Sequence, residues 1–518
     1  MMTKLPRHLV VAHYHLRPGG VRRVIETALP AMARDIELSS VTLATGEEPD
    51  EAWLARLRAS LGGLTLHVEV RREFRYWSEL APPSSGFDAA LVRSCTELLA
   101  HHGGEDAVLW AHNLALGRNA PLAAAWTRAV AATGAVFVSH HHDFFFDNRW
   151  GRWSEMEKSG LDVPASAARV VFPAGARTVH LAINRADHEL LSTGFGERAL
   201  WVPDPVVSPV RHAGRNEAAG AWLASRTGHA SPYWLLPCRL LRRKNIAEAL
   251  LLARWLRPDV RVVTTGAPTS VDEMPYNARL LEGAHRGGWP LDLSVLAGAP
   301  DPPPVSALIG GADAVLLTSL QEGFGLPYVE AAVAERPLVA RSLPNVLPDL
   351  VSLGLRVPVT YDEIRVPCDL FNARREREHQ RRLWEAWRRT LPGEVRSLAG
   401  EPFFVTGTHD SVPFSRLTMT AHLEILGRSP DELAAALAPA NPELAEWCGS
   451  GLPSAGFDGQ AASALSPERF AEHFREAVVK ALAVGGAPDD APERVLHRFL
   501  VDRLRSGNLY PMVFAPET

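Results

Sequence analysis

Short apolar runs of strand type alternate with helix-length segments twice along this chain, and few folds accommodate that alternation. The first series reads "HLVVAHYH" (8–15), "LSSVTLAT" (38–45), "LTLHVEV" (64–70), "AVLWAH" (107–112), "AVFVSH" (135–140) and "TVHLAI" (178–183). The second reads "YWLLPCRL", "VRVVTTG", "LSVLAG", "AVLLTS" and "PLVARSL". Such an order closes into a parallel sheet with helices on both faces. Between the series, "VPDPVVSPV" (202–210) carries three prolines and reads as a stiff linker. The expectation is α/β: two doubly wound domains, 1–203 and 204–365, facing a cleft at the carboxyl ends of their strands, where ligands of such sheets bind. Beyond about 365 the pattern changes to a charged helix, "NARREREHQRRLWEAWRRTL", and amphipathic helices such as "SPERFAEHFREAVVKALA", which starts at Ser466, and "PERVLHRFLVDRLR". Residues 366–518 read as a mainly helical extension, partly packing back on the other domains and able to form a lid, an acceptor wall or a homo-oligomer contact.

A chain of 518 residues is too long for one core. Its 54 basic and 59 acidic residues, net −5, give no electrostatic case for nucleic acid as a partner. Cys95, Cys238, Cys368 and Cys448 lack metal or redox spacing and read as buried thiols of a reducing compartment. "HLVVAHYHL" is too short and polar for a signal-peptide core, and no 18-residue apolar run suggests a transmembrane segment, so a cytoplasmic protein is expected. "RREFRYWSEL" (71–80) is the one basic, aromatic stretch a membrane surface could attract, and a solvated helix face is its expected reading.

The chemistry concentrates at strand ends. "LTSLQEGFGLPYVEAA" (317–332) sets Glu322 and Glu330 around a glycine loop between a strand and a helix, with Pro327 expected at the first helical position and Glu330 in the first turn. Backbone N–H groups of such a loop suit an anion, while the carboxylates suit hydroxyls, so a nucleotide-sugar fits the combination. Each glutamate alone could equally be a solvated loop residue or a helix-dipole partner. In "RLLRRKN" (239–245), Arg239 and Lys244 can grip a diphosphate, whereas Arg242 and Arg243 read as surface residues. Gly19 and Gly20 open a helix after the first strand and admit a ligand close to its N-terminus. At "VFVSHHHDFFFDNRW", His140 and His142 share one face of the strand and His141 the other, with no third zinc ligand identifiable. A histidine there could contact a sugar or serve the core, and "WAHNLALGRN" offers His112, Asn113 and Arg118 as polar candidates toward an acceptor.

These motifs resemble those of the retaining glycosyltransferases of family 4, which have the GT-B fold of two Rossmann-like domains. The Glu-x7-Glu pair around "EGFGLP", the Arg-x4-Lys of "RLLRRKN", the Gly-Gly turn, the "HHHD" strand end and the linker fall in the family's order over roughly residues 8–360. The resemblance implies that Glu330 binds the nucleotide ribose and Glu322 the donor sugar, supported by Gly323, Phe324, Gly325 and Leu326. It implies that Arg239 and Lys244 neutralise the leaving diphosphate, that Gly19 and Gly20 help to position it, and that His142 and Asp143 lie near the transferred sugar. Retention would follow a front-face route, with no carboxylate as nucleophile. The chain departs from the family with Val21-Arg22-Arg23 after the glycines and with Glu335 where a glycine usually ends the helix.

The resulting expectation is a hexosyltransferase that moves sugar from a nucleotide diphosphate donor, UDP-glucose first and GDP-mannose second, to a small hydroxylated acceptor. No cofactor and no obligatory metal are expected, since the chain has no Asp-x-Asp. The alternatives are a GT-B sugar phosphorylase and a catalytically silent nucleotide-sugar-binding protein.

Overall fold

The computed structural model describes residues 4–80, 86–147, 150–206, 216–230, 232–268, 270–407, 409–448, 451–458 and 463–514. The chain divides into two compact units rather than three regions. The first comprises Met1–Val207, Thr390–Leu398 and Ser463–Arg503, and the second the intervening segments and the C-terminus. Residues 366–518 are thus shared between the units; of the proline-rich linker, residues 207–210 fall outside the described residues.

In the first unit, β1 (His8–Ala12), β2 (Ser40–Thr45), β3 (Thr65–Val70), β4 (Ala107–His112), β5 (Val136–His141), β6 (Thr178–Ala182) and β7 (Ala199–Trp201) form an all-parallel sheet in the order β3-β2-β1-β4-β5-β6-β7. Side chains alternate across it, so Leu9 and Val11 enter one core and Val10 and Ala12 the other. Both faces are covered, which is why β2, β4 and β5 are buried throughout. One face is closed by the helix Pro467–Ala483, from the sequence's helical extension, whose Phe470 and Phe474 rings lie 5.8 and 5.2 Å from Trp110. Ser466 caps that helix through Oγ, which accepts from the Arg469 N–H at 3.2 Å.

The second unit repeats the winding. β8 (Tyr233–Arg239), β9 (Arg261–Gly266), β10 (Leu291–Asp292), β11 (Ala314–Leu317), β12 (Leu338–Arg341) and, beyond β13 (Leu355–Arg356), β14 (Val359–Tyr361) give the order β10-β9-β8-β11-β12-β14. β13 instead pairs with Gly456–Phe457. The helix Ile246–Leu256 is buried along its whole length, because helices Met419–Leu426 and Pro430–Leu437 cover its outer side. Its near-continuous apolar sequence, "IAEALLLARWL", reflects that double burial. The α/β class and the two doubly wound sheets are as expected.

Four expectations change. "LSVLAG" (293–298) is not a strand, because Ser294 takes φ 56° and turns the chain out after Asp292. β7 and β14, three residues each, extend the sheets without a run long enough to read in sequence. "RREFRYWSEL" forms two short 3₁₀ turns with Phe74 buried, and Arg71 and Arg75 are tied to Ser94 and to the Gly46 carbonyl. Cys448 is exposed, whereas Cys95 and Cys238 are buried. Among the described residues no helix is long and apolar enough to cross a membrane.

Candidate active site

Chemistry-bearing side chains gather in each unit where the strand order reverses, at the carboxyl ends of β8 and β11 and of β1, β4 and β5. In the second unit β8 ends at Arg239, which is exposed, and a 3₁₀ turn over Arg242–Lys244 leads to Asn245, in left-handed conformation at φ 50°. This turn is laced to the segment after β11. Leu320 N–H donates to the Arg243 carbonyl at 2.7 Å, and the Thr318 hydroxyl reaches the Lys244 carbonyl at 2.9 Å.

Glu322 lies at the centre of that lacing. Its Oε1 is ion-paired with the Lys244 ammonium and accepts from the Ser319 hydroxyl at 2.6 Å. Its Oε2 accepts from Arg243 Nη1 at 3.2 Å, and the same Nη1 donates to the Gln321 carbonyl at 2.7 Å. Asn345 Nδ2 holds the Glu322 backbone carbonyl at 2.9 Å. Burial pushes the carboxyl up, but Lys244 and then Arg243 overcome it and hold Glu322 down to about 2. Glu322 is therefore a fixed, ionised group rather than a solvated loop residue. Sequence reasoning linked Lys244 and Glu322 to one site and missed Arg243, Ser319 and Asn345. Arg243 read as one more basic residue of a run, and Ser319 and Asn345 carry no spacing signal.

The glycine loop then enters the helix Leu326–Val333. Gly325, at φ 77°, has no room for a side chain: a Cβ there would come within 2.8 Å of both Tyr328 and Val346. Pro327 sits second in the helix rather than first, and Glu330, half-buried, is the fifth residue, one position later than expected and just past the first turn. Gly323 is half-buried, Phe324 is buried and Leu326 half-buried beside it. The helix ends in a Schellman arrangement, with Arg336 N–H donating to the Ala331 carbonyl at 3.0 Å and Glu335 N–H to that of Ala332 at 3.1 Å. Glu335 occupies the left-handed position of that cap at φ 51°. Arg242 is not a surface residue. Its side chain is 14% exposed and its backbone N–H and Nε both donate to Glu273 Oε2.

In the first unit, Gly19 and Gly20 are exposed at the start of the helix Gly20–Asp35, and nothing lies within 4 Å of where a Gly20 Cβ would sit. Beside that turn the strands bring imidazoles together. His112 Nδ1 and His142 Nε2 are 3.0 Å apart, the His140 and His142 ring centroids are 4.2 Å apart, and His13 Nδ1 faces the His112 carbonyl at 3.4 Å. His141 points to the opposite side, against His180 at 3.0 Å. Burial, followed by the neighbouring imidazoles, drives His112 and His140 well below the usual histidine range, and His13 goes down to about 3. Asn113 is 3% exposed and spends its side-chain carbonyl on the backbone N–H groups of His142 and Asp143, at 2.9 and 3.0 Å, so it builds the strand end. Arg118 pairs with Glu155 at 3.2 Å and covers the Tyr76 ring. His142 Nδ1 faces Asp204 Oδ1 at 3.7 Å, a contact the linker sequence did not announce.

The third histidine missing from the sequence reading is His112. Among the described residues, His112, His140 and His142 form the set that could hold a metal ion, their nitrogens lying within 4.8 Å of one another. Trp110 Nε1–H, however, donates to His140 Nδ1 at 3.2 Å. That bond keeps the proton of the neutral ring on Nε2, and coordination by all three rings would require it to break.

No established family profile matches the chain. The mannosylglucosyl-3-phosphoglycerate synthase of Petrotoga mobilis (strain DSM 10674 / SJ95) is 26% identical over 266 residues, 49% of this chain and 50% of that protein. The match thus spans half the length of that curated relative. Among solved structures, Anabaena HepE in complex with UDP and glucose is 17% identical, with a TM-score of 0.48 over 68% of this chain and 85% of that one. An E. coli trehalose-6-phosphate structure bound with UDP-2-fluoro glucose is 12% identical, with a TM-score of 0.48 over 91% of this chain and 98% of that one.

Proposed function

We propose that this chain is a glycosyltransferase, a retaining enzyme of family 4, that moves a hexosyl group from a nucleotide diphosphate sugar to a hydroxyl of a small acceptor. The observation that carries the reading is the ionised Glu322 held between Lys244 and Arg243 beside the Gly325 helix entry. Cations for a diphosphate and the N-terminal turn of a helix stand next to a carboxylate that can accept sugar hydroxyls. The curated relative supports it, being named for making a glycosylated phosphoglycerate, a small soluble product.

In this reading Lys244 and Arg239 stabilise the charge that grows on the departing diphosphate, and Glu330 accepts from the ribose hydroxyls. Positive charge comes from groups built into the fold, so no divalent ion is required. Loss of the sugar leaves a nucleoside diphosphate, whose oxygen takes up the acceptor proton on the same face. UDP-glucose is the first donor to try and GDP-mannose the second. The test is a thermal-shift screen of nucleotide-sugars followed by NMR of the product made with the best binder. The expected result is a raised melting temperature for one nucleotide series and an α-linked product from an α-linked donor. A β-linked product would overturn retention, and no shift with any nucleotide would overturn the donor site.

A further inference from the structure

Lys244 has two claims on one ammonium group. Without donor its charge is spent on Glu322 Oε1, yet the proposed chemistry needs that charge on the diphosphate. Glu322 has a side chain only 9% exposed, and a carboxylate so buried cannot simply lose its counter-charge, because an unpaired buried ion is strongly destabilising.

Arg243 removes the conflict. Its Nη1 lies on the other carboxylate oxygen at 3.2 Å and is anchored on the Gln321 carbonyl at 2.7 Å. Its own carbonyl is fixed by the Leu320 N–H at 2.7 Å, and the Ser319 hydroxyl stays on Oε1 at 2.6 Å. With Arg243 and Ser319 in place, Glu322 keeps a cation and a donor when the ammonium turns away. We propose that Arg243 is a positioning residue that holds Glu322 ionised in place so that Lys244 is released to the donor diphosphate. This inference rests on the nucleotide-sugar reading above. Arg242, its neighbour, is directed to a different carboxylate, its Nε and backbone N–H both donating to Glu273.

The test is a double-substitution cycle on UDP and GDP affinity, read by calorimetry on the full chain, with Arg243→Gln, Arg243→Lys, Glu322→Gln and the Arg243→Gln/Glu322→Gln pair. Arg243→Gln is expected to weaken binding of the preferred nucleotide at least about tenfold, because Glu322 then retains Lys244. Arg243→Lys should recover part of that loss. With Glu322→Gln already present, no buried negative charge needs a partner, and Arg243→Gln should cost less than about threefold. Equal losses in both backgrounds would overturn the proposal by showing that Arg243 acts on the ligand or the fold directly. An Arg243→Gln chain that binds like the parent would overturn it as well. If the parent chain binds neither nucleotide, the donor-site reading itself fails, a result distinct from either of these. Should Arg243→Gln not fold, Arg243→Lys decides. Its shorter reach should weaken binding in the parent background and not in the Glu322→Gln background, and equal effects would overturn the proposal.

Discussion

His112 and His140 of the first unit and Glu322 of the second are all withdrawn from water at the ends of parallel strands, and they reach opposite charge states. Around these two histidines burial prevails: the ionisable neighbours acting on them are other imidazoles, each adding to the penalty for a proton, and both rings are neutral. Around Glu322 burial loses, because an ammonium and a guanidinium occupy its two oxygens and hold it ionised, with a carboxyl at about 2. The same desolvation therefore yields an uncharged wall in one unit and a dense charge cluster in the other. What decides is whether the sequence supplies a countercharge within hydrogen-bond reach.

The largest expected effect lies in the charged cluster. Lys244→Ala should lower turnover by about 10²–10³-fold, more than it weakens donor binding, because it removes positive charge where transition-state charge develops. Arg242→Ala should instead cost roughly 1–2 kcal/mol of stability through its bond to Glu273 and leave turnover within a few-fold. Steady-state kinetics beside urea melts separates the two, and equal kinetic effects would remove the special role of Lys244.

Acid should then divide the units. His13 and His180 of the first unit have folded values near 3, and His422 of the second about 4, against 6.5 unfolded. The unfolded chain therefore binds more protons, and stability falls as pH drops below about 6.5, by the larger amount in the first unit. Glu322, depressed from 4.5 to about 2, contributes stability that is intact above about 4.5 and is lost only as pH falls from there toward 2. Buried Cys95 and Cys238 report on the first and second unit respectively. Labelling in urea with a disulfide reagent that reacts in acid should find Cys95 exposed first at pH 5. His180→Gln should reduce the slope by up to about 1.4 kcal/mol per pH unit. Simultaneous exposure with an unchanged slope would contradict the comparison.

Glu330→Ala should weaken donor binding by roughly 1.5–3 kcal/mol in a folded chain, measured by calorimetry. The smallest effect is expected at Glu335, whose left-handed backbone favours glycine. Glu335→Gly should add about 0.5–1 kcal/mol in urea denaturation without changing donor affinity, and a loss of stability would show that the glutamate side chain outweighs the strain.

Most strands and both reversal points were legible because apolar runs, glycines and prolines act locally, while the three-residue β7 and β14 and the end of β10 were not. "RLLRRKN" and "EGFGLP" each declared a strand end, so Lys244 and Glu322 could be read as parts of one site. The partner shell was not legible, since Arg243, Ser319 and Asn345 reach Glu322 through a fold-dependent register that no spacing encodes. His112 looked like an acceptor contact and is buried among other rings, because its strand is covered on both faces. That part of the helical extension packs back on the other domains was legible, but which helix meets which face was not. Phe470 and Phe474 announce an apolar face without saying which sheet it covers.

The most direct test of the central claim is calorimetric titration of UDP-glucose and GDP-mannose into the full chain in excess EDTA, repeated with Lys244→Ala. The account predicts that one donor binds in EDTA as tightly as without it, and at least about tenfold more weakly to the variant. Binding that disappears in EDTA and returns with Mn²⁺, or that is indifferent to Lys244, would contradict a donor site built from the protein's own cations.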